Sequence, residues 1–341
     1  ILLGIKIFSK TRYQGNKVSI KRTYIIAEIG NNHEGNFSIA RKLIILAKKA
    51  GVDAVKFQSY NTENFINPSL KKSFKRLKKF ELDISEFKKL KLLARKLKLN
   101  FISTPLDLYS FKKINSFLDV IKIASSDNNF FYLIEQALRT KKKVIISLGL
   151  ADKKLLKILK QKVLSFCKKY RINKKNISFL HCVTNYPVKD NHVNLNTIIS
   201  LKKLLKPFDV GYSDHSIGNE ACLAAVSLGA NIIEKHFTID KNFSSFRDHK
   251  LSADYFDMQK LVKSVRKIEL QLGRSEKIIN QTEKKYLKIL RRSAYAKKNI
   301  KKNKRIDYDD IIFQRPWAEN SSLDLKKILG RKALRNLKKN K

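Results

Sequence analysis

Short apolar runs ending in polar or charged residues recur along this chain, alternating with stretches whose apolar positions return every three or four residues. The runs are residues 24–29 (YIIAEI, carrying Glu28), 54–59 (Lys56 and Gln58 on one face), 100–104 (ending at Thr104), 120–124 (VIKIA, with Lys122 inside and Ser125 just after), 144–147 (ending at Ser147) and 178–182 (SFLHC). One more opens at Val210 and reaches Ser213, Asp214 and His215, and another opens at Asn231 and carries Glu234 and His236. Runs of this length between turn residues read as buried strands. The 3.6-residue periodicity between them reads as helices at about 37–50, 84–98, 108–117, 131–140, 153–169, 195–205, 219–228 and 253–272, with 60–80 as a long loop. Eight strand–helix alternations over roughly 250 residues predict an α/β fold, a (β/α)8 TIM barrel. A doubly wound sheet is the main competitor and normally needs fewer units.

The right-handed crossover of each unit makes its strands parallel and gathers their carboxyl ends at one rim. Side chains alternate along a strand, so Glu234 and His236 share a face while Lys235 points away. His215 and His236, with oxygen donors nearby, suit a borderline divalent ion such as Mn²⁺, Zn²⁺ or Fe²⁺, and spacing does not choose among them. A histidine at a strand end is more often a satisfied polar residue, but polar residues at one end of nearly every strand favour a site. Lys56 and Lys122, each within an apolar strand, point to two cations facing an anionic ligand, against the alternative of salt-bridged or snorkelling stems. Glu28 interrupts a core strand before a Gly/Asn turn. A carboxylate at a core edge needs a partner, and a hydroxyl- or amine-bearing ligand is a natural one.

Composition narrows the class. The chain has 341 residues, 43% of them hydrophobic, enough for a large domain and a small one. Its opening ILLGIKIF is followed at once by Lys10 and Arg12, unlike a signal peptide, and no apolar run reaches the roughly 20 residues of a membrane span. The three cysteines, Cys167, Cys182 and Cys222, form no CxxC pair, so a reducing cytoplasmic setting is expected. Lys and Arg number 74 against 29 Asp and Glu, a net charge of +45. Because KK and KKK recur on helix after helix, this reads as a chain-wide bias, with no specific nucleic-acid partner. Such a surface would steer anionic substrates inward.

The texture changes after residue 272. The expected organisation is a lead-in at 1–23, the barrel at 24–272, a polar linker at 273–286 and a small module at 287–341. In that module, 291–296 reads as a strand, 299–305 as a basic turn and 307–312 as a helical turn before Arg315-Pro316. It is small for independent stability and is expected to lean on the barrel or a partner subunit.

Together the motifs IIAEIGNNHEG (25–35), GVDAVKFQ (51–58), ISTPLD (102–107), IKIASSD (121–127), HCVTNYP (181–187), GYSDHSIG (211–218) and EKHFTID (234–240) resemble the sialic-acid synthase family of phosphoenolpyruvate-dependent nonulosonate synthases, and RRSAYAKKNIKK and QRP resemble its C-terminal antifreeze-like (SAF) domain. The resemblance implies condensation of phosphoenolpyruvate with an open-chain N-acylamino hexose, N-acetylmannosamine-like, to a nine-carbon 2-keto sugar acid with release of phosphate. Legionaminate or pseudaminate synthesis from a diacetamido hexose is the alternative, and a catalytically silent sugar-binding barrel is the alternative from another class. It implies His215 and His236 as metal ligands, for Mn²⁺ first and Mg²⁺ or Co²⁺ next. Lys56, Thr104, Lys122, Ser125, Ser147 and Ser213 match positions that hold phosphoenolpyruvate. Glu28, Gln58, Tyr186, Asp248 and Arg315 are assigned to the sugar, Arg315 across a homodimer. Glu234, with Glu28, Lys56 and Lys122, is assigned to catalysis, Glu234 handling a proton of the attacking water. The chain departs from the family pattern at Phe57, where members often have His, and at Ser147-Leu148-Gly149, which lacks a threonine. It departs also at Phe246-Arg247 and at Trp317-Ala318-Glu319-Asn320 after Arg315-Pro316, and the SAF module reads as shortened at Lys341.

Overall fold

In this computed structural model, residues 10–11, 20–317 and 325–340 are described. Strands β1 (Lys10–Thr11) and β2 (Ile20–Lys21) form a short antiparallel pair. Eight parallel strands follow: β3 (Tyr24–Gly30), β4 (Ala54–Ser59), β5 (Asn100–Pro105), β6 (Val120–Ile123), β7 (Lys143–Ser147), β8 (Ile177–Cys182), β9 (Asp209–Asp214) and β10 (Ile232–His236). They close into a barrel, β10 pairing with both β9 and β3. The (β/α)8 barrel predicted from periodicity is the fold.

The helices of the barrel unit are α1 (Phe37–Ala50), α2 (Thr62–Phe65), α3 (Lys71–Phe80), α4 (Ile84–Lys96), α5 (Leu108–Ile114), α6 (Phe131–Arg139), α7 (Lys153–Lys169), α8 (Thr197–Leu204), α9 (Glu220–Ser227), α10 (Arg247–Leu251) and α11 (Tyr255–Leu272). Their limits follow local chemistry. The Asn36 side chain accepts from Ile39 N to start α1, and Gly51 ends it at φ 90°. Asp83 and Glu86 form a reciprocal capping box on α4. The stretch read as one loop instead contains α2 and α3. Gly35 lies against α3 with φ +79°, and a Cβ there would stand 2.2 Å from Lys79 O, so glycine is required.

Two apolar regions sit on the two faces of the barrel wall. Outward-facing Ile25, Val55, Phe57, Phe101, Val210, Tyr212 and Ile233 join the buried faces of the surrounding helices. Inside, Tyr24, Ile26, Ala54, Ile102, Val120, Ile145, Leu180 and Ile232 form a separate buried cluster. That cluster fills the floor on which the site stands. Among the described residues, no helix is long and apolar enough to cross a membrane.

The chain divides into two units, Ile1–Gly273 and Arg274–Lys341. The second contains α12 (Gln281–Leu290), the antiparallel pair β11 (Ser293–Ala296) and β12 (Ile311–Gln314), and α13 (Leu325–Ile328). Its small core is Ala296, Ile300, Ile306, Ile311 and Ala333. Helix α12, which opens on an Asn280–Glu283 capping box, and strand β12, where a helical turn was expected, are corrections to the periodicity reading. Only Tyr308–Asp310 turns helically there, as a 3-10 segment capped by Asp307.

Candidate active site

Two residues beyond each member of the apolar floor except Tyr24, the same strands present Glu28, Lys56, Thr104, Lys122, Ser147, Cys182 and Glu234 to the barrel mouth. Alternation along the strand keeps these side chains on the inner face, and β9 adds Ser213 beside Glu234. The result is a compact charge cluster. Lys56 Nζ lies 2.8 Å from Glu28 Oε2 and 3.6 Å from Glu234 Oε1, and it donates to Thr104 Oγ1 at 3.3 Å. Lys122 Nζ donates to Ser147 Oγ at 2.6 Å and stands 3.8 Å from Glu234 Oε1. Ser213 Oγ donates to Glu234 Oε1 at 2.9 Å.

Burial sets the protonation of this cluster. Glu28 is pushed up to about 7 by burial, with Lys56 pulling the other way and Glu234 adding repulsion. Glu234 is held below the usual carboxylate range: burial works against its charge, but Lys122 and Lys56 together outweigh it. Burial opposes the charge on Lys56 too, yet Glu234 and Glu28 raise its pKa. Lys122 is lowered by burial, which outweighs the opposing pull of Glu234, and the like charge of Lys56 adds to the lowering. Glu234 is therefore the carboxylate both lysines share.

The histidine pair stands at the same mouth. His215 Nδ1 meets Val183 O at 2.8 Å; a carbonyl only accepts, so Nδ1 carries a proton and Nε2 is the nitrogen that has the lone pair in the neutral ring. His236 Nδ1 is buried without a hydrogen-bond partner, 4.0 Å from Asp248 Oδ2. The two ring centroids are 5.2 Å apart. Tyr186 stacks near His215 at 4.2 Å, and Arg247 lies 4.6 Å over the Tyr186 ring. Two imidazoles with free nitrogens beside Asp248 and Glu234 fit a borderline divalent ion. Among the described residues no group of three or more His, Cys, Asp or Glu is arranged to hold one, so water and substrate oxygens would have to complete the shell.

Of the residues singled out from sequence, Glu28, Lys56, Gln58, Thr104, Lys122, Ser125, Ser147, Tyr186, Ser213, His215, Glu234, His236 and Asp248 all line this one pocket. Arg315 belongs to the second unit, where its Nε donates to Leu290 O at 2.7 Å; Ala318, Glu319 and Asn320 lie outside the described residues. Phe57 faces outward and stacks on Phe101 at 5.4 Å, so that departure from the family pattern does not touch the pocket. Gly149 N donates to Ser125 Oγ at 3.1 Å, and a Cβ at Gly149 would stand 2.2 Å from Thr184 Oγ1.

Sequence reasoning missed other lining residues. Thr184 has a buried hydroxyl with no partner, and Asn31 Nδ2 donates to Gln58 Oε1 at 2.9 Å. Phe65, Arg76, Leu77 and Phe80 come from α2 and α3, and Phe246 packs on Phe80 at 5.2 Å. The unpartnered Glu234 Oε2, Thr184 Oγ1 and His236 Nδ1 all border the same space. Buried polar atoms left unpaired together mark where a polar ligand goes.

Comparison with known proteins places the chain in a family. The NeuB family model matches residues 43–277 and the SAF domain model residues 291–341. An N,N'-diacetyllegionaminic acid synthase of Campylobacter jejuni is 38% identical, covering 94% of this chain and 98% of its own length. A pseudaminic acid synthase of the same species is 33% identical over 95% of this chain and 96% of its own. The crystal structure of an N-acetylneuraminic acid (sialic acid) synthetase from Leptospira borgpetersenii, in complex with citrate, is 32% identical with a TM-score of 0.73, covering 82% of this chain and 95% of that one.

Proposed function

This chain belongs to the NeuB family, with a SAF domain following its barrel in sequence, and from that premise we propose that it joins phosphoenolpyruvate to an open-chain N-acylamino hexose, making a nine-carbon 2-keto sugar acid and releasing phosphate. The observation that carries this reading is the buried Lys56–Glu234–Lys122 cluster in the pocket that also holds His215 and His236. A trianionic substrate needs fixed cations, and a neutral sugar needs hydrogen-bonding groups. Both sets are present.

In this reading Lys56, Lys122, Thr104, Ser125, Ser147 and Ser213 hold the carboxylate and phosphate of phosphoenolpyruvate. Glu28, Gln58, Tyr186 and Asp248 orient the sugar, and Arg315 contacts its acyl group within a homodimer. His215 and His236 hold a divalent ion, Mn²⁺ before Mg²⁺ or Co²⁺, which when bound supplies Lewis-acid polarisation of the aldehyde. Carbon C3 of phosphoenolpyruvate bonds to the aldehyde carbon, and the aldehyde oxygen takes a proton to become a hydroxyl. Water adds at C2 and gives its proton to Glu234, whose charge Lys56 and Lys122 maintain. The C2–O bond to phosphate then breaks as the C2 hydroxyl passes its remaining proton to the departing phosphate, leaving the ketone and inorganic phosphate, and the proton on Glu234 replaces the one taken up by the aldehyde oxygen. Holding both reactants in one water-poor pocket turns their encounter into a near-unimolecular step. The three cysteines are buried free thiols, which supports a cytoplasmic setting.

A diacetamido hexose is the finer choice of sugar, because Phe65, Leu77, Phe80 and Phe246 add apolar lining beside Arg76 that suits methyl groups in place of hydroxyls. The 38% identity to the legionaminic acid synthase supports the same choice. Phosphate release from phosphoenolpyruvate with Mn²⁺ tests both levels, against N-acetylmannosamine and the two diacetamido hexoses that precede legionaminate and pseudaminate. Release with any one of these sugars supports the synthase, and release at least tenfold faster with a diacetamido sugar supports the finer choice. No release with any sugar overturns the reading in favour of a silent barrel.

A further inference from the structure

Each histidine of the pair is preceded by a residue of opposite charge pointing away from the pocket, and these two residues meet. Asp214 precedes His215 and Lys235 precedes His236. Lys235 Nζ lies 2.7 Å from Asp214 Oδ2, with side chains 1% and 0% exposed. The pair occupies the last rung of the β9–β10 ladder, after Ile233↔Tyr212 and Glu234↔Ser213. Beyond this rung His236 pairs with Glu28 of β3, and His215 O accepts instead from Val188 N. The strands therefore part at the level where the two imidazoles must keep a fixed separation.

The pair also fixes the backbone on both sides of His215. Asp214 Oδ1 accepts from Ser216 N at 2.8 Å and Ser216 Oγ at 2.7 Å, and from Tyr212 OH at 2.8 Å. Lys235 Nζ donates to Ser216 O as well. The other outward side chains on these strands, Val210, Tyr212 and Ile233, belong to the outer core, as does Phe237 just after β10. A buried ion pair loses much of its attraction to desolvation and is weak evidence of a stability role. It does impose a distance. We propose that Asp214 and Lys235 are positioning residues that brace His215 and His236 from behind for divalent-cation binding, an inference that rests on the metal reading of those histidines.

The test is Mn²⁺ binding by the full chain, followed from the electron paramagnetic resonance signal of free Mn²⁺. Asp214→Asn with Lys235→Met removes both charges while the amide oxygen still accepts from Ser216 and Tyr212. The expected result is a Mn²⁺ dissociation constant about 10- to 100-fold weaker, with phosphoenolpyruvate affinity measured without metal by calorimetry within about twofold of wild type. Asp53→Asn is the control, because Asp53 pairs with Arg22 and Arg266 and lies before β4, away from its carboxyl end. It should lower the melting temperature and leave Mn²⁺ binding unchanged. A double variant that binds Mn²⁺ as wild type does overturns the proposal while the metal reading stands. Wild-type protein that binds no Mn²⁺ overturns both. If the double variant loses its native circular dichroism, Lys235→Arg, which keeps the charge but moves it, decides the matter: weaker Mn²⁺ binding supports the brace and unchanged binding overturns it.

Discussion

Inside the barrel, two layers of side chains come from the same strands two residues apart. The lower layer is Ile26, Ala54, Ile102, Val120, Ile145, Leu180 and Ile232, all buried and apolar. The upper layer is Glu28, Lys56, Thr104, Lys122, Ser147, Cys182 and Glu234, equally buried and mostly polar or charged. The layers share backbone geometry and lie about 7 Å apart along the strand. The lower layer stabilises by removing apolar surface from water, at roughly 1.5–3 kcal/mol for a fully buried Ile or Leu. The upper layer takes two lysines and two glutamates out of water, which stabilises nothing unless each charge finds a partner. Consistency between sequence and fold fails where the function lies.

The largest expected effect tests the upper layer. Glu234→Gln keeps an oxygen for Ser213 Oγ but removes the carboxylate charge shared by Lys56 and Lys122. It should cut kcat by about 10²- to 10⁴-fold, with phosphoenolpyruvate affinity changed only severalfold. Single-turnover phosphate release beside calorimetric binding separates the two. A kcat within about threefold of wild type removes Glu234 from the chemistry.

The lower layer should answer in the opposite currency. Leu180→Ala, fully buried in the floor, should lower the unfolding free energy by about 2–5 kcal/mol. Turnover per folded molecule should stay within about twofold, since no floor residue lines the pocket. Urea unfolding and activity at low temperature read the two quantities. Loss of turnover without loss of stability would show that the floor sets the height of the catalytic layer, and the division into two roles would be wrong.

Most of this contrast was legible in the chain, because a charged residue inside an apolar strand run violates the local pattern wherever it stands. Glu28, Lys56, Lys122, Glu234 and His236 were found that way, and strand alternation put them on the inner face. The apolar side of the pocket was not legible. In α3 the sequence KKSFKRLKKF spaces Phe74, Leu77 and Phe80 among cations, with no side-chain cap at Leu70, so it reads as a loop. What orders it is tertiary: Tyr60 OH donates to Leu77 O, and Glu81 accepts from Thr62 N and Thr62 Oγ at the start of α2. Thr184 was quoted within a motif, but only packing shows its hydroxyl to be buried and unpaired. Phe57 carried the opposite lesson. Its place between Lys56 and Gln58 already turns it outward, and there it fills the outer core.

The smallest of these effects lies just outside the upper layer, at a buried group expected to answer to stability alone. His33, in the turn after β3, is 1% exposed; its Nδ1 accepts from Gly35 N at 3.0 Å, and its Nε2 is buried without a partner. Burial pulls its pKa from the usual 6.5 down to about 4, against a smaller opposing effect of the Gly30 backbone. Between those values the unfolded chain binds a proton that the folded chain refuses, so stability falls as pH drops below about 6.5 and the loss is complete near pH 4. Between pH 7 and pH 4.5 this group should cost about 2–3 kcal/mol. His33→Asn, which keeps an acceptor for Gly35 N, should lose that much less stability over the same interval in urea titrations. Both proteins carry the same carboxylates, so the difference isolates His33. Equal losses would mean that the ring takes up a proton without leaving its site, and that the turn beneath Glu28 tolerates charge as the upper layer does.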